Sequence, residues 1–295
     1  MNNSIKLAFG ILVMISIACT GNKEKEVSSI TTHIAVENKG IPIDYKESGD
    51  GNYTLIFIHG WCINDSYWTH QVDALKSDYK IITLNLPGFN GTDTTRNDWS
   101  IEAYASDVNA LIEQLQLKNV VLIGHSMGGE IILETALYNK NVIALIGIDN
   151  FKDMGHEMSE EMQEGINEFF ALLESNYKEI SKAFAESNLF SNSTDSLVRA
   201  RVIADFQSAD SIVAIASLKN LFDYSFDEMS KLEKLNQKLY LINSNTSPTN
   251  LDPMINAGVK CELFEIDSAG HYPMIENPQE FNSLLAQVLN KIINE

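Results

Sequence analysis

Seven short apolar runs set the limits on what this chain can fold into: "IPIDYKES" (41–48), "YTLIFIH" (53–59), "YKIITLNL" (79–86), "NVVLIGH" (119–125), "VIALIGID" (142–149), "KLYLINS" (238–244) and "CELFEID" (261–267). Most are β-branched and nearly unbroken in hydrophobicity, the pattern of strands buried on both faces. The stretches between them are amphipathic with helical spacing. In "SIEAYASDVNALIEQLQ", Ser100 is placed to cap a helix whose apolar face is Ile101, Tyr104, Val108, Leu111 and Leu115. In "NPQEFNSLLAQVLNKII", Pro278 falls in the first turn, where its missing N–H costs nothing. Such alternation predicts an α/β fold, a mostly parallel sheet covered by helices.

The alternation stops between Asn150 and about Tyr224. There "SEEMQEGINEFFALLESN", "YKEISKAFAES", "TDSLVRARVIADFQ" and "SADSIVAIASLKNLFDY" read as consecutive helices with no strand between them. The insertion falls at the carboxyl end of a strand, where open α/β sheets bind ligands, and this points to a lid. The expected organisation is a core of 31–150 and 225–295 with an all-helical cap of 151–224. At 295 residues and 44% hydrophobic content, one domain with an insertion accounts for the whole length.

The amino terminus follows other rules. Its apolar run, Leu7 to Ala18, fits a signal-peptide core and is too short to span a bilayer as a helix. "SIAC" resembles the lipobox of bacterial lipoproteins, with Ser16 where Leu is usual. That resemblance implies a signal peptide over 1–18, lipidation at Cys19, and a flexible tether over 19–30. The domain is then expected to be exported and held on a membrane facing the periplasm or cell surface. Cys62 and Cys261 remain, and both are expected to be free and buried, on segments far apart in the sheet.

A formal charge of -19, with only 21 Lys and Arg spread along the chain, excludes a surface for nucleic-acid backbone. The same acidity fits a solvated, self-repelling surface. No His, Cys and Asp cluster has ligand spacing, so neither a metal nor an organic cofactor is expected. The implied partner is a small-molecule substrate.

The most informative residues are "GHSMGG", Gly124 to Gly129, directly after one apolar run and before the helical "EIILETALYN". They match G-x-S-x-G in the strand–turn–helix context of a nucleophile elbow, which would raise the Ser126 hydroxyl above the sheet. From about Ile43 onward the chain resembles the α/β-hydrolase family. The resemblance implies an eight-stranded-type sheet with the cap inserted after the sixth strand. "FIHGW", Phe57 to Trp61, is similar to the family's oxyanion-hole loop, which implies the backbone amides of Trp61 and Met127 as oxyanion donors. "LNLPGFNGTD", Leu84 to Asp93, is similar to the family loop after the next strand, where its role is largely structural.

A serine needs a base, and six histidines are available. His59 and His125 sit inside the two motif turns and are expected to shape them. His33, His70 and His156 lie outside the motifs, in an early strand, a helix and the lid. His271, in "DSAGHYPMIENP", stands where the family places its catalytic histidine. The third member is less direct. In the family it usually follows the strand that here reads "KLYLIN", but "SNTSPTN" contains no acid, and Asn245 is the nearest match. Asp252 lies beyond the usual slot. Asp149 ends the strand after the elbow helix, an acid position that some family members, haloalkane dehalogenases among them, use. Asp149 is the favoured acid, with Asn245 and Asp252 as the alternative positions.

The resulting expectation is a serine hydrolase that cleaves a carboxylic ester or related carbonyl compound through an acyl-enzyme. Carbon–carbon hydrolysis, lactone hydrolysis and cofactor-free peroxidation are alternatives within the family. A weak or inactive small-molecule binding protein, with Asn245 as its lesion, is the alternative outside enzymes. A serine elbow argues against the dehalogenase and epoxide-hydrolase chemistry that in this family uses an aspartate nucleophile.

Overall fold

Every residue of Thr54–Ile58 and of Val120–His125 is buried, as their unbroken hydrophobicity demands, and the two strands pair in parallel at the middle of the sheet. The computed structural model describes residues 35–155 and 159–294. In chain order the elements are β1 (Glu37–Asn38), β2 (Ile41–Pro42), β3 (Asp44–Ser48), β4 (Thr54–Ile58), a 3-10 turn (Asp65–Trp68), α1 (Thr69–Leu75), β5 (Lys80–Asn85), α2 (Ile101–Gln114), β6 (Val120–His125), α3 (Met127–Tyr138) and β7 (Val142–Ile148). Then come α4 (Glu160–Ser175), α5 (Tyr177–Asn188), α6 (Ser196–Ser208), α7 (Ser211–Ser225), α8 (Glu228–Leu232), β8 (Lys238–Ser244), α9 (Asp252–Asn256), β9 (Cys261–Ile266), α10 (Pro273–Glu276) and α11 (Pro278–Asn294).

The main sheet has the order β3-β5-β4-β6-β7-β8-β9, parallel throughout except where β3 runs antiparallel to β5. Helices flank it. α2 packs on α3, and α11 lies against α1, β8 and β9. Ser100 caps α2 by accepting a hydrogen bond from the Ala103 amide, and the predicted apolar face of that helix is buried apart from Leu115, its C-cap.

Three details differ from the sequence expectation. "IPIDYKES" is two strands rather than one. Ile41–Pro42 pairs with β1 in a two-stranded ribbon, and Asp44–Ser48 joins the sheet. Pro42 has no N–H to continue the ladder, and the switch occurs there. Among the described residues the sheet has seven strands rather than eight, so the helical run follows its fifth strand in chain order rather than a sixth. The early strand expected around His33, the signal peptide, the tether, Cys19 and His156 all lie outside the described residues. Lastly, both cysteines are free, but only Cys62 is buried. Cys261 is half-buried, because β9 is an edge strand with β8 as its single neighbour. Among the described residues no helix is long and apolar enough to cross a membrane.

The helices α4 to α7 are tied to the core by specific bonds as well as apolar contact. Trp61 Nε1 donates to the Ala214 carbonyl of α7 at 2.8 Å, and the Tyr67 hydroxyl donates to Asp205 of α6 at 2.7 Å. Phe206 packs edge-on against Trp61 with ring centroids 4.9 Å apart. The cap thus rests directly on the segment after β4.

The burial pattern gives a direct test in the sheet. Phe57 is fully buried with its ring 5.1 Å from that of Trp68, whereas Ile143 on β7 is 38% exposed. Phe57→Ala is expected to lower the free energy of urea unfolding by about 3 to 5 kcal/mol. Ile143→Ala is expected to change it by less than about 1 kcal/mol.

Candidate active site

Ser126 joins β6 to α3 with φ 51° and ψ -124°, a backbone conformation that an L-residue holds only when its surroundings force it. Close packing supplies the force. A Cβ at Gly124 would lie 2.1 Å from the Gly128 carbonyl oxygen, and one at Gly128 would lie 2.6 Å from that of Ile58. These are the two glycines of G-x-S-x-G, and both are required by backbone approach. The loop after β4 closes on the same point, since a Cβ at Gly60 would stand 3.0 Å from the Ser126 Cβ. Trp61 follows Gly60 directly. Met127 is the first residue of α3, so its amide has no acceptor within the helix and points with the positive end of the helix dipole.

His271 precedes α10 in a loop clamped from several sides. Glu276 accepts from the amides of Gly270 and Tyr272, both at 2.9 Å, and from the Thr194 hydroxyl. The His271 amide donates to the Leu189 carbonyl at the end of α5 at 3.0 Å. Its imidazole Nδ1–H donates to Asp149 Oδ2 at 2.7 Å, which leaves Nε2 as the acceptor nitrogen.

Asp149 stands just past β7, in the left-handed region at φ 50°, a conformation aspartate tolerates better than most residues. It is 8% exposed. Its second oxygen, Oδ1, accepts from the Ser244 amide at 2.9 Å and from Lys152 Nζ at 2.7 Å. Burial pushes the carboxyl up, but the hydrogen bond and charge of His271, together with the charge of Lys152, outweigh it and hold the group at about 2. The next residue reaches back to the elbow. Asn150 Nδ2 donates to the carbonyls of Gly124 and Ser126 at 3.3 and 3.4 Å, and its backbone exchanges two hydrogen bonds with the buried Asn243 side chain of β8.

The structure therefore brings Asp149 to His271 and keeps the two alternative positions away. Asn245 is exposed and its amide donates to Asp267, while Asp252 is exposed at the start of α9. His59 is fully buried. Its Nδ1–H donates to the Gly60 carbonyl and its Nε2 accepts from the Leu86 amide, so it braces the loop after β4, and burial lowers it to about 4. His125 donates from Nε2 to the His271 carbonyl at 2.7 Å, and burial, with the neighbouring His271, lowers it to about 3. Both rings are thus neutral supports of their turns. His70 is exposed on α1. Among the described residues no group of His, Cys, Asp and Glu could hold a metal ion.

Four residues of this arrangement were not singled out from the sequence: Lys152, Asn150, Asn243 and Glu276. Each acts across a gap of strands or loops, although the acid in "GHYPMIENP" is close enough to His271 to have been a clue. A cavity of about 310 Å³ opens on the acid and base, lined among others by Lys152, Leu189, Phe190, Thr246 and Ser247. Of the cap aromatics, Phe184 and Phe206 pack on Trp61, Phe190 lies against Tyr272 beside the histidine, and Phe170 pairs with Phe222 inside the cap. Ser126 on its strained turn, the His271 imidazole and the buried carboxylate bonded to that imidazole form a set that can take a proton from a hydroxyl and return it to a leaving group.

Comparison with known proteins agrees with this architecture. A karrikin insensitive 2 receptor (IA) of Petunia hybrida is 26% identical over 251 residues, 80% of this chain and 90% of that one. A second such receptor (CA) is 30% identical over 146 residues, 46% of this chain, and the match spans only 54% of that protein's length. A thermophilic esterase from Thermogutta terrifontis has a TM-score of 0.75 at 20% identity, covering 88% of this chain and 97% of that one. A structure described as Est816, an N-acyl homoserine lactone degrading enzyme, has a TM-score of 0.74 at 22% identity, covering 86% and 99%. At these identities the structural likenesses speak for the fold. The α/β hydrolase fold family matches residues 53–278, so the chain belongs to that family.

Proposed function

We propose that this protein is a serine hydrolase that cleaves a carboxylic ester or related carbonyl substrate. The observation that carries the proposal is the hydrogen bond from His271 to Asp149, in a chain that also holds a serine on a strained elbow. Ser126 attacks the carbonyl carbon while His271 Nε2 takes its proton. The amides of Trp61 and Met127 receive the charge that develops on the carbonyl oxygen. The imidazolium, stabilised by Asp149, then gives its proton to the leaving alcohol, and water repeats the sequence to release the acid. Lactones, which are internal esters, fit the same steps.

The receptor names among the relatives favour a second reading, in which the pocket binds a small molecule and turnover is weak or absent. The hydrogen bond between His271 and Asp149 weighs against taking Asn245 as a lesion.

Three variants and one substrate series test the proposal. With p-nitrophenyl acyl esters, Ser126→Ala is expected to abolish both turnover and labelling by a fluorophosphonate probe. Asp149→Asn is expected to lower kcat by about a thousand- to ten-thousand-fold, because an amide neither stabilises the imidazolium by charge nor fixes the productive tautomer. Asn245→Asp is expected to leave kcat within about threefold, since its side chain faces Asp267. A wild type that neither hydrolyses nor labels would favour the receptor reading.

Asp149 also makes stability depend on pH. Its folded value of about 2 lies below the unfolded value, so its contribution is present above about pH 4 and is lost as pH falls toward 2. Relative to Asp149→Asn, the wild type is expected to lose about 2 kcal/mol of unfolding free energy across that interval, measured by urea denaturation at each pH.

We further infer from the sequence alone that the domain is exported and membrane-anchored through Cys19. Cys19→Ala is expected to abolish incorporation of labelled palmitate and to move the protein from the membrane to the soluble fraction.

A further inference from the structure

Lys152 is the only cation bonded to the acid and base pair among the described residues, and the proposed reaction gives it no task. Its Nζ lies 2.7 Å from Asp149 Oδ1 and 3.0 Å from the Ser244 carbonyl oxygen, with its side chain 17% exposed. Its own backbone is anchored as well, because the Lys152 carbonyl accepts from the Asn250 amide at 2.7 Å in the loop after β8. We propose that Lys152 is a positioning residue of this site, acting through Asp149 to reserve Oδ2 for His271 and to oppose protonation of the imidazole. The inference rests on the serine-hydrolase reading above.

The geometric half of the argument is a matter of counting donors. Oδ1 is occupied by the Ser244 amide and the ammonium, so the carboxylate cannot rotate to offer His271 a different oxygen without breaking two bonds. Both bonds run to β8 or to the turn leaving β7. The acid, displaced by one strand from the end of β8, is thereby held to the strand end it does not belong to.

The electrostatic half concerns what faces the imidazole. From the turn after β7 come Asp149 and Lys152, from β6 His125, and from its own loop and α10 come Tyr272 and Glu276. His125 is neutral, and Glu276 is spent on the amides of Gly270 and Tyr272 and the Thr194 hydroxyl. The charges that decide the balance are therefore the carboxylate and the ammonium. Asp149 favours an imidazolium, and Lys152, bonded to the same carboxylate, cancels part of that preference. The base consequently stays in its accepting form to lower pH than Asp149 alone would allow.

The test is the pH profile of kcat/KM for hydrolysis of p-nitrophenyl esters by the wild type, Lys152→Met, Lys152→Gln and Lys152→Arg. Removing the charge is expected to move the acid limb upward by about half to one pH unit. In Lys152→Met, kcat is expected to fall about tenfold while KM changes less than about twofold, as loss of alignment rather than of substrate binding requires. Lys152→Gln, uncharged but still a donor, is expected to move the limb as Met does, and Lys152→Arg to restore it. An unmoved limb in both uncharged variants overturns the proposal, even if activity falls, because a purely structural lysine would lower activity without shifting the limb. If the wild type shows neither turnover nor fluorophosphonate labelling, the hydrolase reading fails separately. Thermal unfolding of Lys152→Met, Asp149→Asn and the double variant then decides the remainder. Additive losses overturn the positioning role, and non-additive losses support it.

Discussion

A carboxylate taken out of water must be matched by donors or it takes up a proton, and Asp149 is matched on both oxygens. Those bonds reach in three directions: to the loop before α10, to the end of β8 and to the turn into the helical insertion. The remainder of the site hangs on them. Without the Ser244 bond the turn after β7 has no tie to its neighbour through the acid, and without the His271 bond the imidazole loses the partner that fixes its tautomer. Asn150, one residue on, extends the same turn to the elbow carbonyls, so the end of β7 and the turn after β6 form one hydrogen-bonded unit.

What could be read from the sequence divides along the same line. The elbow was legible because its cause is local: strand, tight turn and helix follow directly on one another from Val120 to Tyr138, and the glycines that the close approach requires stand in the motif itself. The strands were legible because burial on both faces leaves a continuous apolar run, and the split of "IPIDYKES" at Pro42 was the place where that rule met an edge. The acid was harder. Whether Asp149 or a residue near Asn245 meets His271 depends on which of two neighbouring strand ends turns inward, and no spacing along the chain records that. Lys152 and Asn243 were invisible for the same reason, since each is defined by partners on other elements, whereas Glu276 bonds the amides on either side of His271 and lay within reach of a local reading.

The cap aromatics illustrate a different limit. Helical spacing identifies an apolar face without saying what the face meets. Trp61 resolves the question at one point. Its indole nitrogen binds the Ala214 carbonyl of α7, and its ring meets Phe184 and Phe206, so the residue directly after Gly60 also carries the cap. Any shift of α5 to α7 is therefore felt at the loop after β4, and through Gly60 at the elbow. Phe170 and Phe222, by contrast, face one another and belong to the cap's own interior.

The asparagine in the usual acid slot can be understood in physical terms rather than as a loss. Asn245 donates its amide to Asp267, the residue just past the end of β9. An aspartate there would set two carboxylates against each other, and at hydrogen-bonding distance two such groups cannot both stay ionised. One would hold a proton or turn away into solvent, and neither state gives His271 a fixed anionic partner. An amide at 245 is neutral, satisfies Asp267 and leaves the end of β8 free to present the Ser244 amide to Asp149 instead. The strand that would otherwise have carried the acid thus supplies a donor to it, and moving the carboxylate to the end of β7 exchanges a repulsive pair at the surface for a buried, fully bonded one.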